Sequence, residues 1–436
     1  DGAFGELYVD GRRPDEWRHV FASIQSLSGV AHEAIRPDHF DVVIVDEFHH
    51  AAAQTYEKLL AHLQPKELLG LTATPERADG KSVLHQFGGK IAAEIRLWEA
   101  LDEQLLAPFQ YFGIHDNVDL ASIQWRRGGY DAAQLGNLYT GDDARARLVW
   151  QEVRDKVSDP HAMRALGFCV SVAHAEFMAD RFSRFGIPSR AVSADTRSED
   201  RVDALRALRD GRVNALFAVD LFNEGVDVPE IDTVLFLRPT ESATVFLQQL
   251  GRGLRHSPES GKSCLTVLDF IGQAHRHFRF DRRYRALTGT TRAGVKRAVE
   301  DGFPFLPAGC SMQLDRVARD LVLRNIEQSV SSTRLRLIEE LRSLGRDVTL
   351  PQFLREADLD LDELYRLRGS SWTELRRGAG LPTASAGPDD SRLALALGQI
   401  LHWDDPSRLR CYRRWLSEST PPNCESLSAS ESRMAI

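Results

Sequence analysis

The chain has 436 residues, 42% hydrophobic and 27% charged, with a formal net charge of −8, which at roughly 100–200 residues per domain describes an ordinary globular protein of two to four domains. No apolar stretch of about 18 residues occurs, and the first segment has neither a basic start nor an apolar centre, so neither a transmembrane helix nor a secretory signal is expected. The five cysteines (Cys169, Cys264, Cys310, Cys411, Cys424) never fall in a C-x-x-C spacing, which predicts a cytoplasmic protein without disulfides or zinc, and the acidic balance excludes a broadly basic nucleic-acid coat but not a local basic groove.

Residues 20–24 form a short apolar run, and 41–45 form a continuous β-branched run of the kind that parallel strands buried on both faces require. Helical spacing over 51–63 stops before Pro65, and a third strand at 68–71 closes on Thr72-Ala73-Thr74-Pro75. The stretch 91–112 is less regular, and Gly128-Gly129 with residues 139–143 reads as a connector. A second alternating block follows, with strands predicted at 166–172, 189–192, 214–219, 233–237 and 264–270 and helices at 173–185, 198–208 and 243–250. Such alternation implies doubly wound parallel sheets, here two α/β lobes facing each other across a cleft. Beyond Arg285 the pattern is helical without a strand signal, at 314–327, 333–344, 350–356, 361–367 and 372–379, and residues 417–432 read as a mobile tail. The domains expected are a first lobe over 1–115, a connector over 116–145, a second lobe over 146–290, a helical region over 291–384 and an extension over 385–436.

The strongest chemical signal is Asp46-Glu47-Phe48-His49, directly after the 41–45 strand. Ligands of open α/β sheets bind at the carboxyl ends of strands. Two carboxylates there can divide nucleotide hydrolysis, Asp46 holding Mg²⁺ through its water shell and Glu47 deprotonating the attacking water. The plain alternative is an acidic pair that caps the next helix. The second signal is the run from Gln248 to Arg255, Gln-Gln-Leu-Gly-Arg-Gly-Leu-Arg. Arg252 and Arg255 are three apart and are expected on one helical face, with glycines that admit close backbone approach. Their guanidinium groups suit charge developing on a transferring phosphate, whereas the bland reading is a basic helix end offsetting the macrodipole. The third is Asn223-Glu224-Gly225-Val226-Asp227, after the 214–219 strand, either a ribose-contacting loop or a simple turn.

Asp-Glu-Phe-His, Thr-Ala-Thr-Pro, Asn-Glu-Gly-Val-Asp and the Gln248–Arg255 run resemble, in order and spacing, motifs II, III, V and VI of superfamily 2 helicases. Residues 22–27 resemble motif Ib and 168–172 resemble motif IV. Residues 105–114, 234–255 and the helices around 360–381 look like a bacterial subgroup that joins a phospholipase-D-like nuclease domain, a helicase core and a C-terminal domain of unknown function. The resemblance implies an α/β fold of two RecA-like parallel-sheet lobes, the first N-terminally truncated, followed by a small helical region. It implies ATP and Mg²⁺ as cofactors and DNA, with RNA the alternative, as partner, beside a nuclease domain or the missing N-terminal segment. Asp46 and Glu47 match the magnesium and base positions, and His49 the histidine that couples them to Gln248. Thr72 and Thr74 match the motif linking hydrolysis to lobe movement. Gly225 and Asp227 match nucleotide contacts, Arg252 and Arg255 the arginine fingers, and Gln25 and Ser171 nucleic-acid contacts. Val219-Asp220 departs from the Thr-Asp of many relatives and removes one hydroxyl.

No G-x-x-x-x-G-K-[ST] segment occurs: Gly261-Lys262-Ser263 has His256 where the first glycine belongs, and Gly80-Lys81-Ser82 has Pro75. Only 45 residues precede Asp46 and the first is Asp1, not Met, so the chain reads as a fragment without motif I, inactive alone. The function expected is an ATP-dependent DNA helicase or translocase core. The alternatives are a restriction-type duplex translocase subunit or a non-catalytic binding remnant.

Overall fold

The computed structural model describes residues 4–9, 11–29, 35–48, 54–72, 87, 91–126, 129–219, 221, 228–240, 242–275, 278–290, 292–330, 334–344, 348–357, 359, 361–367, 370–383, 387–390, 392–393, 396 and 413–414. The chain divides into two units, Asp1–Ala92 with Ser332–Ile436, and Ala93–Ser331. In the first, β1 (Glu6–Tyr8) pairs in parallel with β2 (Val20–Ala22), and α1 (Ile24–Gly29) follows. A second parallel pair joins β3 (Val42–Val45) through α2 (Gln54–His62) to β4 (Glu67–Gly70). On one face Val45 packs with Tyr56 and Leu60 around buried Phe48. The other face carries Val42 (55% exposed), Ile44 (61%) and Leu69 (44%). The expectation that this strand is buried on both faces is therefore corrected. Among the described residues β3 pairs only with β4, and two short strands bury one face at most.

The second unit starts with α3 (Leu97–Asp102) and β5 (Phe109–Asp119), then a two-residue hairpin pair, β6 (Trp125–Arg126) and β7 (Gly129–Tyr130). Helices α4 (Ala132–Tyr139) and α5 (Asp143–Lys156) lead into β8 (Ala165–Phe168), α6 (Val172–Arg184), β9 (Ser189–Val192), α7 (Ser198–Arg209) and β10 (Ala215–Ala218). Then come β11 (Thr233–Phe236), α8 (Ala243–Gly251), β12 (Leu265–Gln273), α9 (Phe280–Thr288), α10 (Arg292–Glu300), β13 (Ser311–Leu314) and α11 (Arg316–Val330). Seven strands form one parallel sheet in the order β13-β5-β12-β11-β8-β10-β9.

Strands β8, β10 and β11 are buried at every position, which is why they read as near-continuous apolar runs, broken only by Thr233 at the start of β11. Successive side chains serve opposite faces. Leu166, Val234 and Phe236 join a core with residues of α7 to α11, while Ala165, Leu235 and Phe217 join another with α5 and α6. Helix α6 shows how the sequence builds a cover: Ser171 caps its first turn, and Ala175, Met178, Ala179 and Phe182 recur on one buried stripe.

Two expected boundaries are corrected. Residues 109–119 do not close the first lobe at 115. They form β5, which pairs with β12 from Phe109–Leu265 onward and with β13 on its other side. The region past Arg285 does contain a strand, β13, and α10 and α11 belong to the second unit's core. The expected helices farther on are present as α12 (Arg334–Leu344), α13 (Leu350–Ala357), α14 (Leu361–Arg366) and α15 (Trp372–Gly378), which share a core of Leu341, Phe353, Leu364 and Leu375.

Candidate functional site

Asp46 and Glu47 follow β3 immediately, at its carboxyl end. The β3–β4 ladder runs on around them: Leu71 N–H donates to Val45 O at 2.9 Å, and Phe48 N–H donates to Leu71 O at 2.7 Å. The acidic pair is thus bracketed by two bonds to Leu71, and Thr72, half-buried, is the next residue. Phe48 is the anchor, 1% exposed, and it lies on Gly70, where a Cβ would stand 2.8 Å from its ring. Glu47 adopts φ +49, the left-handed region that a Glu rarely enters. That conformation costs on the order of 1–3 kcal/mol and persists only where surrounding contacts impose it, a condition that clusters at functional sites. The Asp46 carboxylate is exposed and accepts from Glu47 N–H at 2.9 Å. A hard carboxylate oxygen of this kind fits water-shelled Mg²⁺.

In the second unit α8 is capped by Ser242, whose Oγ accepts from Val245 N–H at 3.3 Å. Gln248 is half-buried on it and Gln249 fully buried. The helix ends at Gly251 with Arg252 as its C-cap, so Arg252 and Arg255 do not share a helical face, and that expectation is corrected. The reason is Gly253. A Cβ there would stand 2.3 Å from Leu265, the first residue of β12, so the chain leaves the helix to pack on the sheet. The other glycine of the run, Gly251, has nothing within 4 Å of a built Cβ. Leu254 O accepts from Ala107 N–H at 2.7 Å, which sets Arg255, exposed, beside the amino-terminal ends of β5 and β12.

Ser171 lies at the opposite, carboxyl ends of the strands, just after the central strand β8. Its hydroxyl accepts from His174 N–H at 3.2 Å and faces Gly136 of α4. The N-cap role accounts for a serine there. Gln25 is exposed on α1, beside an open concavity lined by Val9, Gly11, Ser23 and Ser26. His49, Thr74, Gly225 and Asp227 lie outside the described residues.

Two buried ion pairs support the second unit, and the sequence reading missed both. Asp269 of β12 pairs with Arg283 of α9 and accepts from Tyr111 of β5, while the Arg283 guanidinium lies 4.2 Å from the Phe246 ring of α8. Asp116 of β5 pairs with Arg145 of α5 at 2.9 Å, and Arg145 donates to Leu237 O at 3.0 Å. A charged residue inside an otherwise apolar run is the signal that β12 carried in Asp269, whereas Asp116 stands among His115, Asn117 and Asp119 and gave none. Among the described residues no group of three His, Cys, Asp or Glu side chains is placed to hold a metal, and no helix is long and apolar enough to cross a membrane.

The sequence matches the family described as "Type III restriction enzyme, res subunit" over residues 3–77 and "Helicase conserved C-terminal domain" over 149–257. The two matched segments lie in chain order, the first over the residues around Asp46 and Glu47 and the second over those from α5 to His256. It is 29% identical to a 51.5 kDa protein of a Lactococcus phage over 54% of this chain and 50% of that protein. It is 26% identical to the type I restriction enzyme EcoAI endonuclease subunit of Escherichia coli, over 60% of this chain and 36% of that one. With the DNA 3'-5' translocase XPB2 of Sulfurisphaera tokodaii it shares 26% identity over 56% of this chain and 62% of the relative. The chain spans half or less of the length of the first two. Among solved structures, the ATP-dependent Type ISP restriction-modification enzyme LlaBIII bound to DNA superposes with a TM-score of 0.48 at 14% identity, over 96% of this chain and 31% of that one.

Proposed function

We propose that this chain is part of an ATP-driven motor that moves on DNA. Asp46 holds Mg²⁺ through water, Glu47 deprotonates the attacking water, and Arg252 and Arg255 stabilise the charge that develops on the transferred phosphate. Thr72, Thr74, His49 and Gln248 couple that step to movement, and Gly225 and Asp227 contact the nucleotide. The sequence holds no phosphate-cradling G-x-x-x-x-G-K-[ST], so in this reading the cradle is supplied by residues outside these 436. The observation that carries the proposal is Glu47, held at φ +49 beside Asp46 at the end of a parallel strand. The test is phosphate release, with and without DNA, by the protein as its gene encodes it. Release is expected to rise with DNA and to fall by about 10² or more in Glu47→Gln, the lower end of what a general base contributes. A Glu47→Gln protein that hydrolyses ATP at the wild-type rate ends the assignment.

The similarity to the protein named DNA 3'-5' translocase XPB2 supports movement along DNA, and a translocase that stays on duplex is the second reading. Displacement of a triplex-forming strand without displacement of a duplex strand is the result expected.

A further inference from the structure

Gly261-Lys262-Ser263 ends like a phosphate-binding loop but lacks its spacing, so its lysine needs another account. Lys262 is not a solvated surface residue. Its Nζ donates to Arg255 O at 2.7 Å and to Pro229 O at 3.0 Å. Burial pushes its ammonium down to about 8, against the pull of Asp232 and Glu230. A charge held out of water is retained where its hydrogen bonds are made, and here both go to main-chain carbonyls. The turn Pro258–Ser260 closes on Gly261 at φ +76, a left-handed cap that suits glycine and returns the chain toward residue 255.

The neighbours of Arg255 are fixed as well. Leu254 O is held by Ala107 N–H at 2.7 Å, and the His256 ring bonds Gln104 O at 2.9 Å through Nε2. The exposed arginine is thus flanked by one residue held through its carbonyl and one held through its side chain, and the carbonyl of Arg255 itself is the one Lys262 takes. Pro229, its other target, lies just before β11.

We propose that Lys262 is a positioning residue for Arg255, joining the backbone of that arginine to the backbone of Pro229 in one rigid corner. The proposal rests on the reading of Arg255 as an arginine finger. A finger acts only if its guanidinium is already aimed when charge develops, and a displacement of about 1 Å can cost about 10² in rate. Lys262 touches no reacting atom and works through the main chain.

Lys262→Met removes both donors at similar volume, and Lys262→Arg keeps charge and donors. Hydrogen exchange on the chain reads the corner without any nucleotide. Peptides spanning residues 228–232 and 253–257 are expected to exchange at least tenfold faster in Lys262→Met, with peptides across β8 and β10 unchanged and protection restored in Lys262→Arg. Unchanged exchange in Lys262→Met overturns the clamp. Phosphate release by the gene-encoded protein reads the positioning. Lys262→Met is expected to lower kcat at least tenfold with KM for ATP within about twofold, and Arg255→Ala/Lys262→Met to be no slower than Arg255→Ala. Losses that multiply mean that Lys262 does not act through Arg255. A wild-type protein without DNA-stimulated hydrolysis removes the motor reading and this role with it, and the exchange result then stands separately as a structural clamp.

Discussion

His174 is buried in the first turn of α6, its Nδ1 accepting from Val170 N–H at 3.4 Å and its ring stacked on Tyr139 with centroids 5.4 Å apart. That acceptor bond leaves the proton on Nε2, so the folded protein holds the neutral ring. Burial, assisted by the nearby Arg145 charge, pushes its pKa down to about 3. An unfolded histidine titrates near 6.5 and therefore binds a proton that the folded one refuses. The contribution is complete above the unfolded pKa and is lost as pH falls from 6.5 toward 3. The slope is about 1.4 kcal/mol per pH unit, or about 2 kcal/mol between pH 7 and pH 5. Urea unfolding of wild type and His174→Gln at both values checks this. The variant should lose about 2 kcal/mol less than wild type on acidification, and an equal loss in both would place the ring in a wetter setting than the structure gives it.

Strand β5 is the element on which the second unit depends most. It lies between β12 and β13, and it supplies both Tyr111 and Asp116 to the buried polar pairs. Breaking a buried pair from one side strands the other charge and costs about 3–5 kcal/mol, whereas replacing both partners by apolar groups is often neutral. Arg145→Met is expected to lower the thermal midpoint of the unit by about 10 °C at roughly 2–4 °C per kcal/mol. Asp116→Leu/Arg145→Met should recover more than half of that. If the double variant melts lower than the single one, the pair contributes more than mutual neutralisation.

The two units differ in how their sheets are completed. Seven parallel strands with a core on each face are a cooperative unit, while β3 and β4 are a two-stranded parallel pair with Val42, Ile44, Leu69 and Leu71 exposed. An exposed apolar face and short ladders mark a region that opens at low cost. Hydrogen exchange on the whole chain should be fast across residues 41–72 and slow across β8, β10, β11 and β12. Equal protection in both regions would show that another segment or a partner completes the β3–β4 sheet in solution.

Local chemistry was enough to read most of the second sheet. The runs that became β8 and β10 have no polar residue and β11 has only Thr233, and the stripe from Ala175 to Phe182 has one buried side at helical period. The positions of Asp46 and Glu47 at a strand end followed from the same logic. What the chain order did not contain is which distant segments meet. Strand β5 was passed over because its pairing with β12 is a long-range choice, made where the two apolar patterns and the Tyr111–Asp269 contact coincide. The exposure of Val42 and Ile44 was equally hidden, since a β-branched run specifies a strand but not what covers it. Arg252 and Arg255 looked like neighbours on one helix until Gly253 met Leu265. Lys262 acquired a purpose only when the carbonyls of Pro229 and Arg255 came within reach of one ammonium. Periodicity and side-chain type are properties of adjacent residues and decide elements. Desolvation, register and hydrogen-bond partners are properties of residues brought together, and tertiary packing alone decides them.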